Sequence, residues 1–304
     1  MPRMARIKSE DAIYHVMIRS ISELSLFRKN EDKDTYLSLV HGYQNVFGFK
    51  VYAFCLMDNH AHFIIDANGS DISKVMHSLN FKYAQIYNHK YKRHGHLFQD
   101  RFKSKIVTTE RYLFTLSAYI HKNPEDIEKY SKCIERYKYS SLGVYLGLRK
   151  DPFKILDEGF IMQMFGNSIR ESRSNYMKFV YSCDDKKLKE DAEFGNETTC
   201  YKSERKIIVR DFNPDEILNY VSQETGINKA KFHIKNGRNT TKGRAIAVLL
   251  MRGFCNFRCS DICSVLGNIT QSRVSGLCSI AMNLIDKDEK YKKLVDEFLV
   301  KYSA

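Results

Sequence analysis

The stretch Val51–Asp66, VYAFCLMDNHAHFIID, constrains the fold more than any other part of the chain. Its two apolar runs are short, rich in Val, Phe and Ile, and split by Met57-Asp58-Asn59, so they predict a pair of strands. Side chains alternate across a strand, so His60 and His62 point one way while Ala61 and Phe63 point the other. Two neighbouring imidazoles on a rigid sheet suit a divalent metal. The same spacing also describes two histidines on a half-exposed strand, and alternation alone leaves both open.

The flanking segments supply a fold around this pair. Ala12–Ser20 alternates as a first strand, with Tyr14, Val16 and Ile18 on one side and His15, Met17 and Arg19 on the other. Asn30–Phe47 carries an apolar stripe of helical spacing and is stopped by Gly48. Asp71 is a candidate cap for a helix from Ile72 to about Tyr91, with Val75, Leu79, Ala84 and Ile86 in its apolar positions. Phe98–Val107 predicts a fourth strand, and Thr109 or Glu110 opens a helix halted at Asn123-Pro124. Strand, helix, strand, strand, helix, strand is the α+β, ferredoxin-like order: an antiparallel sheet with packed helices. Its first and third strands are central, which puts His60 and His62 on a rigid mount. Tyr119 and Asn123, four residues apart, share a face of the last helix.

Beyond the sheet, Tyr137–Leu148 extends the first domain, taken as residues 1–150. Residues 151–183 predict a helical extension around Phe160–Phe165 and Arg173–Tyr181, and residues 184–212 a charged linker. Residues 213–304 predict an all-α domain that begins at Asn213-Pro214-Asp215. There, a helix from about Arg244 to Arg252 follows a basic loop, and Ser260 caps a short helix, Asp261–Leu266. Gly267 breaks that helix, and Thr270 or Ser272 starts another that runs to about Ile285, giving a helix-turn-helix pattern. Gln271, Ser272 and Arg273 open the second helix of that pattern, where base contacts originate, while Lys242 and Arg244 suit phosphates.

Charge points the same way. The chain has a formal net charge of +13, which favours a polyanionic partner; nucleic acid is the default, although a ribosomal or membrane-surface partner gives the same sum. Nine Lys or Arg against one acid lie between Lys229 and Arg273, a density suited to duplex DNA. Lys82–Arg111 holds eight basic residues against two acids, Arg101, Lys103 and Lys105 among them, interleaved with Tyr83, Tyr87, Tyr91, Phe98 and Phe102. That mixture fits single-stranded or hairpin DNA, while an amphipathic helix with core aromatics accounts equally for Tyr83 and Tyr87. No apolar run is long enough to span a bilayer and no signal core opens the chain, so a cytoplasmic, nucleoid-associated protein with no membrane partner is expected. The eight Cys read as reduced thiols; Cys255, Cys259 and Cys263 would share a helix face, in a buried small-residue role rather than as a zinc site. His94-Gly95-His96 is a second His-x-His, but Gly95 makes it a loop suited to phosphate or base contact, and His121 reads as peripheral.

Four ordered segments carry a family resemblance: Tyr14-His15-Val16, Leu56-Met57-Asp58-Asn59-His60-Ala61-His62, Gly95-His96-Leu97-Phe98-Gln99-Asp100-Arg101-Phe102-Lys103 and Tyr119-Ile120-His121-Lys122-Asn123-Pro124. Over about residues 1–150 the chain resembles the HUH single-tyrosine transposases, in their REP-associated branch. Residues 214–302 separately resemble the helix-turn-helix domain of the bacterial replication initiator. The first resemblance implies Tyr119 as nucleophile, His60, His62 and Asn123 as ligands of Mg²⁺ or Mn²⁺, and a 5′-phosphotyrosine intermediate on single-stranded or hairpin DNA. It further implies a monomer or homodimer. Asp58 departs from the family, standing where proline is common, as does Lys122, standing where an apolar residue is common. The competing expectations are a non-catalytic DNA-binding regulator that keeps the fold, and a replication or conjugative relaxase.

Overall fold

The computed structural model describes residues 12–21, 24–184, 212–234, 240–255, 257–267 and 269–302. The expected linker, apart from its two ends, and Asn236-Gly237-Arg238-Asn239 of the basic loop therefore lie outside the described residues. The chain divides into two compact units. One holds the sheet and the helices that follow it; the other holds the helices from residue 212 onward together with Gly42–Gly48 and Asn68–Asp71.

In the first unit the order is β1 (Ile13–Arg19), α1 (Asn30–Phe47), β2 (Lys50–Leu56), β3 (His60–Asp66), α2 (Ile72–Lys90), β4 (Lys103–Ile106) and α3 (Glu110–Lys122). The four strands pair in the order β2-β3-β1-β4, all antiparallel, so β1 and β3 are central. This is the expected ferredoxin-like arrangement. Register fixes what each face carries. Phe54 pairs with Phe63 and Val16 with Phe63, which builds an apolar face. Tyr36 of α1 lies 6.0 Å from the Phe63 ring and 5.1 Å from Tyr83 of α2, and Phe27 lies 5.6 Å from both tyrosines. These rings are all buried, so α1 and α2 close over this face with an aromatic core. Tyr83 and Tyr87 thus belong to the core and are not stacking platforms. The buried positions of α2 are Ile72, Val75, Met76, Leu79, Tyr83 and Tyr87, one step out of phase with the expected Ala84 and Ile86. Asp32 ties the two helices together, accepting from Lys90 Nζ at 2.7 Å and Tyr91 Oη at 2.7 Å.

The opposite face lies under α3. Thr109 caps this helix by accepting the Tyr112 N–H at 3.1 Å, and Asn123-Pro124 turns its end into a 3-10 segment, Asn123–Asp126. Short helices α4 (Leu142–Tyr145) and α5 (Gly159–Met162) lead to α6 (Ile169–Ser182). The stretch before α4 adds to the free edge of β2: the Leu56 N–H donates to Tyr139 O and the Ser141 N–H to Phe54 O, both at 2.9 Å. β4 is shorter than the sequence pattern suggests. Phe98 makes only an isolated bridge to Ser20, and residues 99–102 bend out of the ladder before Lys103 re-enters it.

The second unit comprises α7 (Pro214–Thr225), α8 (Thr241–Phe254), α9 (Cys259–Leu266), α10 (Gln271–Lys287) and α11 (Glu289–Tyr302). Asn213 Oδ1 accepts the Asp215 N–H at 2.9 Å at the start of α7, and Gly226 closes the helix in a left-handed conformation. α8 is buried from Gly243 to Met251 and is the central helix of this unit. Phe298 of α11 meets Phe254 at 5.1 Å and Tyr220 at 5.1 Å. Three expectations change. α9 starts at Cys259, and Asp261 rather than Ser260 caps it, its carboxylate accepting the Arg258 N–H at 2.7 Å. Cys255 stands at the end of α8 and Cys259 at the start of α9, so the three thiols share no single helix. α11 had no counterpart in the sequence reading.

Candidate active site

Antiparallel register assembles the site before any side chain is considered. Arg19 lies opposite His60, Met17 opposite His62, Met17 opposite Lys103 and His15 opposite Lys105. His15, Arg19, His60, His62, Lys103 and Lys105 therefore share the face covered by α3. The His60 and His62 ring centroids are 5.1 Å apart, and Tyr119 of α3 stands edge-on to His62 at 5.4 Å and to His15 at 6.3 Å. Asn123 reaches the same place, its Oδ1 3.2 Å from His60 Nε2. The Asn123 orientation is fixed because its Nδ2 donates to the Tyr119 carbonyl at 2.8 Å.

The two imidazoles are held alike. His60 Nδ1 donates to Asn59 Oδ1 at 2.7 Å, and His62 Nδ1 lies 2.9 Å from His15 Nε2. Each ring thus uses Nδ1 on a neighbour outside the site and keeps Nε2 for whatever enters it. Burial lowers the pKa of His60, and the Arg19 charge adds to this against the opposing pull of Asn123 and Asp126. Burial holds His62 well below the ordinary imidazole value, with His15 and His60 contributing. Both rings are therefore neutral at neutral pH. A neutral His60 has one N–H; given to Asn59, it leaves the Nε2 lone pair facing the Asn123 oxygen across 3.2 Å. With the proton on Nδ1 the two acceptors suit a cation between them; with it on Nε2, His60 donates to Asn123 instead. Ligands in cis positions on an octahedral Mg²⁺ are about 3 Å apart, given metal–oxygen distances of about 2.1 Å. The donor set, two imidazole nitrogens and an amide oxygen, fits Mg²⁺ or Mn²⁺. Among the described residues, no cluster of three or more His, Cys, Asp or Glu side chains suits a metal; an ion held by His60 and His62 would take its third donor from Asn123.

α3 is clamped so that Tyr119 overlies the histidines. His121, fully buried, bonds through Nε2 to Ser141 Oγ and through Nδ1 to Tyr176 Oη of α6, each at 2.7 Å. Ser141 Oγ in turn accepts the Phe54 N–H of β2 at 2.9 Å, and Tyr176 Oη donates to Ser117 Oγ of α3 at 2.9 Å. His121 is thus a core polar residue, not a peripheral one; on the helix it faces away from Tyr119 and inward.

The remaining expected residues divide. Arg101 and Lys103 are exposed, Lys103 on the site face. Lys105 is 9% exposed and its amine lies over the Tyr112 ring at 4.8 Å, so it is far less open than a phosphate-gripping lysine would be. His94, Gly95 and His96 are exposed in a loop. Asp58, at the β2–β3 turn, pairs with Lys33 Nζ at 2.7 Å, away from His60, His62 and Asn123. In the second unit Gln271, Ser272 and Arg273 are exposed on the first turn of α10, and Lys242 is exposed with its amine over Tyr291 at 5.7 Å. Arg244 departs from expectation: it is 6% exposed and its Nη1 donates to Ile234 O at 2.8 Å. Its position on the inward face of α8 makes it a buttress instead of a surface phosphate contact. Sequence reasoning missed Arg19, His15 and Asn59 at the site. For Arg19 the signal was its parity with His15 on the first strand, while His15 and Asn59 also lie in the segments that carry the family resemblance.

A family model described as transposase IS200 like matches residues 8–123. No curated protein matches the chain. Among solved structures, a REP-associated tyrosine transposase bound to a REP hairpin is similar at a TM-score of 0.39 and 15% identity, covering 50% of this chain and 90% of that one. No described helix is long and apolar enough to cross a membrane.

Proposed function

We propose that this chain, whose residues 8–123 match a family model described as transposase IS200 like, cuts and rejoins single-stranded or hairpin DNA through a covalent bond to Tyr119. The observation that carries this reading is the meeting of His60 Nε2 and Asn123 Oδ1 at 3.2 Å beside a tyrosine on the same helix as that amide. In the reaction the Tyr119 oxygen attacks the scissile phosphorus. An O–P bond to tyrosine forms, the P–O3′ bond breaks, and a free 3′-hydroxyl leaves. The 5′-phosphotyrosine keeps the energy of the broken ester, so a second 3′-hydroxyl can displace Tyr119 and rejoin the strand without an external energy source. His60, His62 and Asn123 would hold Mg²⁺ or Mn²⁺, which supplies Lewis-acid polarisation of the phosphate oxygens.

Arg19, opposite His60 and exposed, and Lys103, on the same face, offer cations to the phosphates that flank the cut. Arg101 extends that track. In the second unit α9, the turn at Gly267 and α10 form a candidate helix-turn-helix, with Gln271, Ser272 and Arg273 aimed at duplex bases and Lys242 at phosphate. Tyr119→Phe, incubated with a labelled hairpin oligonucleotide and Mn²⁺, is expected to form no covalent adduct and no nicked product while still shifting the oligonucleotide on a gel. An adduct that survives the substitution would refute Tyr119 as nucleophile.

A further inference from the structure

The metal-site reading above leaves His15 unused, although it is fully buried and touches His62. Its Nε2 is 2.9 Å from His62 Nδ1, and the two rings stack with centroids 5.2 Å apart at an interplanar angle of 25°. His15 sits on β1 and His62 on β3; His62 pairs with Met17, so the two rings are diagonal neighbours, two residues apart on one face of the central strands. We infer that His15 is a positioning residue that holds His62 as the Nδ1–H tautomer, with its Nε2 lone pair directed to the metal. This rests on the metal-site reading and deepens it.

The chemistry leaves one consistent assignment. A neutral His62 carries one proton, and a ligating Nε2 must be bare, so the proton is on Nδ1 and His15 Nε2 accepts it. His15 must then carry its own proton on Nδ1. Metal-bound histidines are more often braced by a carboxylate or a backbone carbonyl. A neutral imidazole in that place braces the ring without adding negative charge beneath a surface that must receive a phosphate backbone. Asn59, on His60 Nδ1, is a neutral brace of the same kind.

Two measurements on the full chain test this. In the metal-free protein, long-range proton–nitrogen correlation spectra of isotope-labelled histidine should report the proton of His62 on Nδ1; a proton on Nε2 overturns the proposal, whatever the protein does with metal. Titration of metal-free protein with Mn²⁺, followed by the paramagnetic resonance signal of free ion, should show His15→Leu weakening binding by about 10- to 100-fold, the range for losing such a brace. His15→Gln, whose amide oxygen can still accept from Nδ1, should restore most of the affinity. Wild-type affinity in a folded His15→Leu protein overturns the proposal, as does a His15→Gln protein as weak as folded His15→Leu. If His15→Leu does not fold, the wild-type tautomer and the His15→Gln titration decide alone. A wild-type protein that binds no Mn²⁺ sinks the metal-site reading instead, and the tautomer measurement still decides whether His15 orients His62.

Discussion

The two faces of one sheet do different work with the same strands. Toward α1 and α2, β1, β2 and β3 present Val16, Phe54 and Phe63 beneath Phe27, Tyr36 and Tyr83. Toward α3, the same central strands present His15, His62 and His60, with Arg19 and Lys103 at the open margin. Alternation means each residue on one face is bonded through the backbone to a residue on the other. Rigidity generated by aromatic packing is delivered directly to the imidazoles, and the polar face need contribute little stability of its own.

That division can be broken by experiment. The largest effects should be of opposite kinds. Phe63→Ala is expected to cost about 3–5 kcal/mol of stability in urea unfolding, the usual penalty for emptying a buried aromatic site. His60→Ala should leave the urea midpoint close to wild type yet reduce metal-dependent cleavage by more than about a hundredfold, since a ligand should matter more than its brace. A His60→Ala protein that unfolds as readily as Phe63→Ala would show that the faces do not divide the labour as described.

The clamp on α3 sits between these extremes. His121→Ala strands Ser141 and Tyr176, which should cost about 1–3 kcal/mol and also slow adduct formation, because α3 carries Tyr119, the proposed nucleophile. The same residue predicts a pH dependence. Burial brings the His121 pKa down from 6.5 to about 3, so below pH 6.5 the unfolded chain takes up a proton that the folded chain refuses. Stability from this group is fully present above 6.5 and falls with pH, by up to about 1.4 kcal/mol per pH unit. Unfolding free energies measured from pH 7 to pH 5 should slope less steeply in His121→Gln than in wild type. The smallest effect is expected at Asp58→Asn. This breaks an ion pair whose carboxylate is 77% exposed and should lower the unfolding free energy by no more than about 1 kcal/mol while leaving Mn²⁺ affinity unchanged.

Much of this was visible in the chain because alternation and capping are local. The bounds of α1, the Thr109 cap and the stop at Asn123-Pro124 follow from neighbours in sequence, and so does the shared face of His60 and His62. What escaped depends on distant pairings. His15 meets His62 only through the register of two strands separated by α1 and β2, and nothing near residue 15 encodes that register. His121 is buried because residues 141 and 176 come to it, whereas helical phase told only that it faces away from Tyr119. β4 shortens because Phe98 bridges to Ser20 and the next residues turn out, although their composition suits a strand. Arg244 is hidden by its phase on α8, which the basic composition of the region obscured.

Asn123 ends the helix that bears Tyr119, and its amide grips the Tyr119 carbonyl while its oxygen faces His60. The proposed nucleophile and the proposed third ligand are therefore mechanically one part. Unseating the last turn of α3 withdraws both together, leaving two histidines that would hold a divalent ion poorly and no group to attack the strand. On the proposed function, the docking of one helical turn would govern both groups at once.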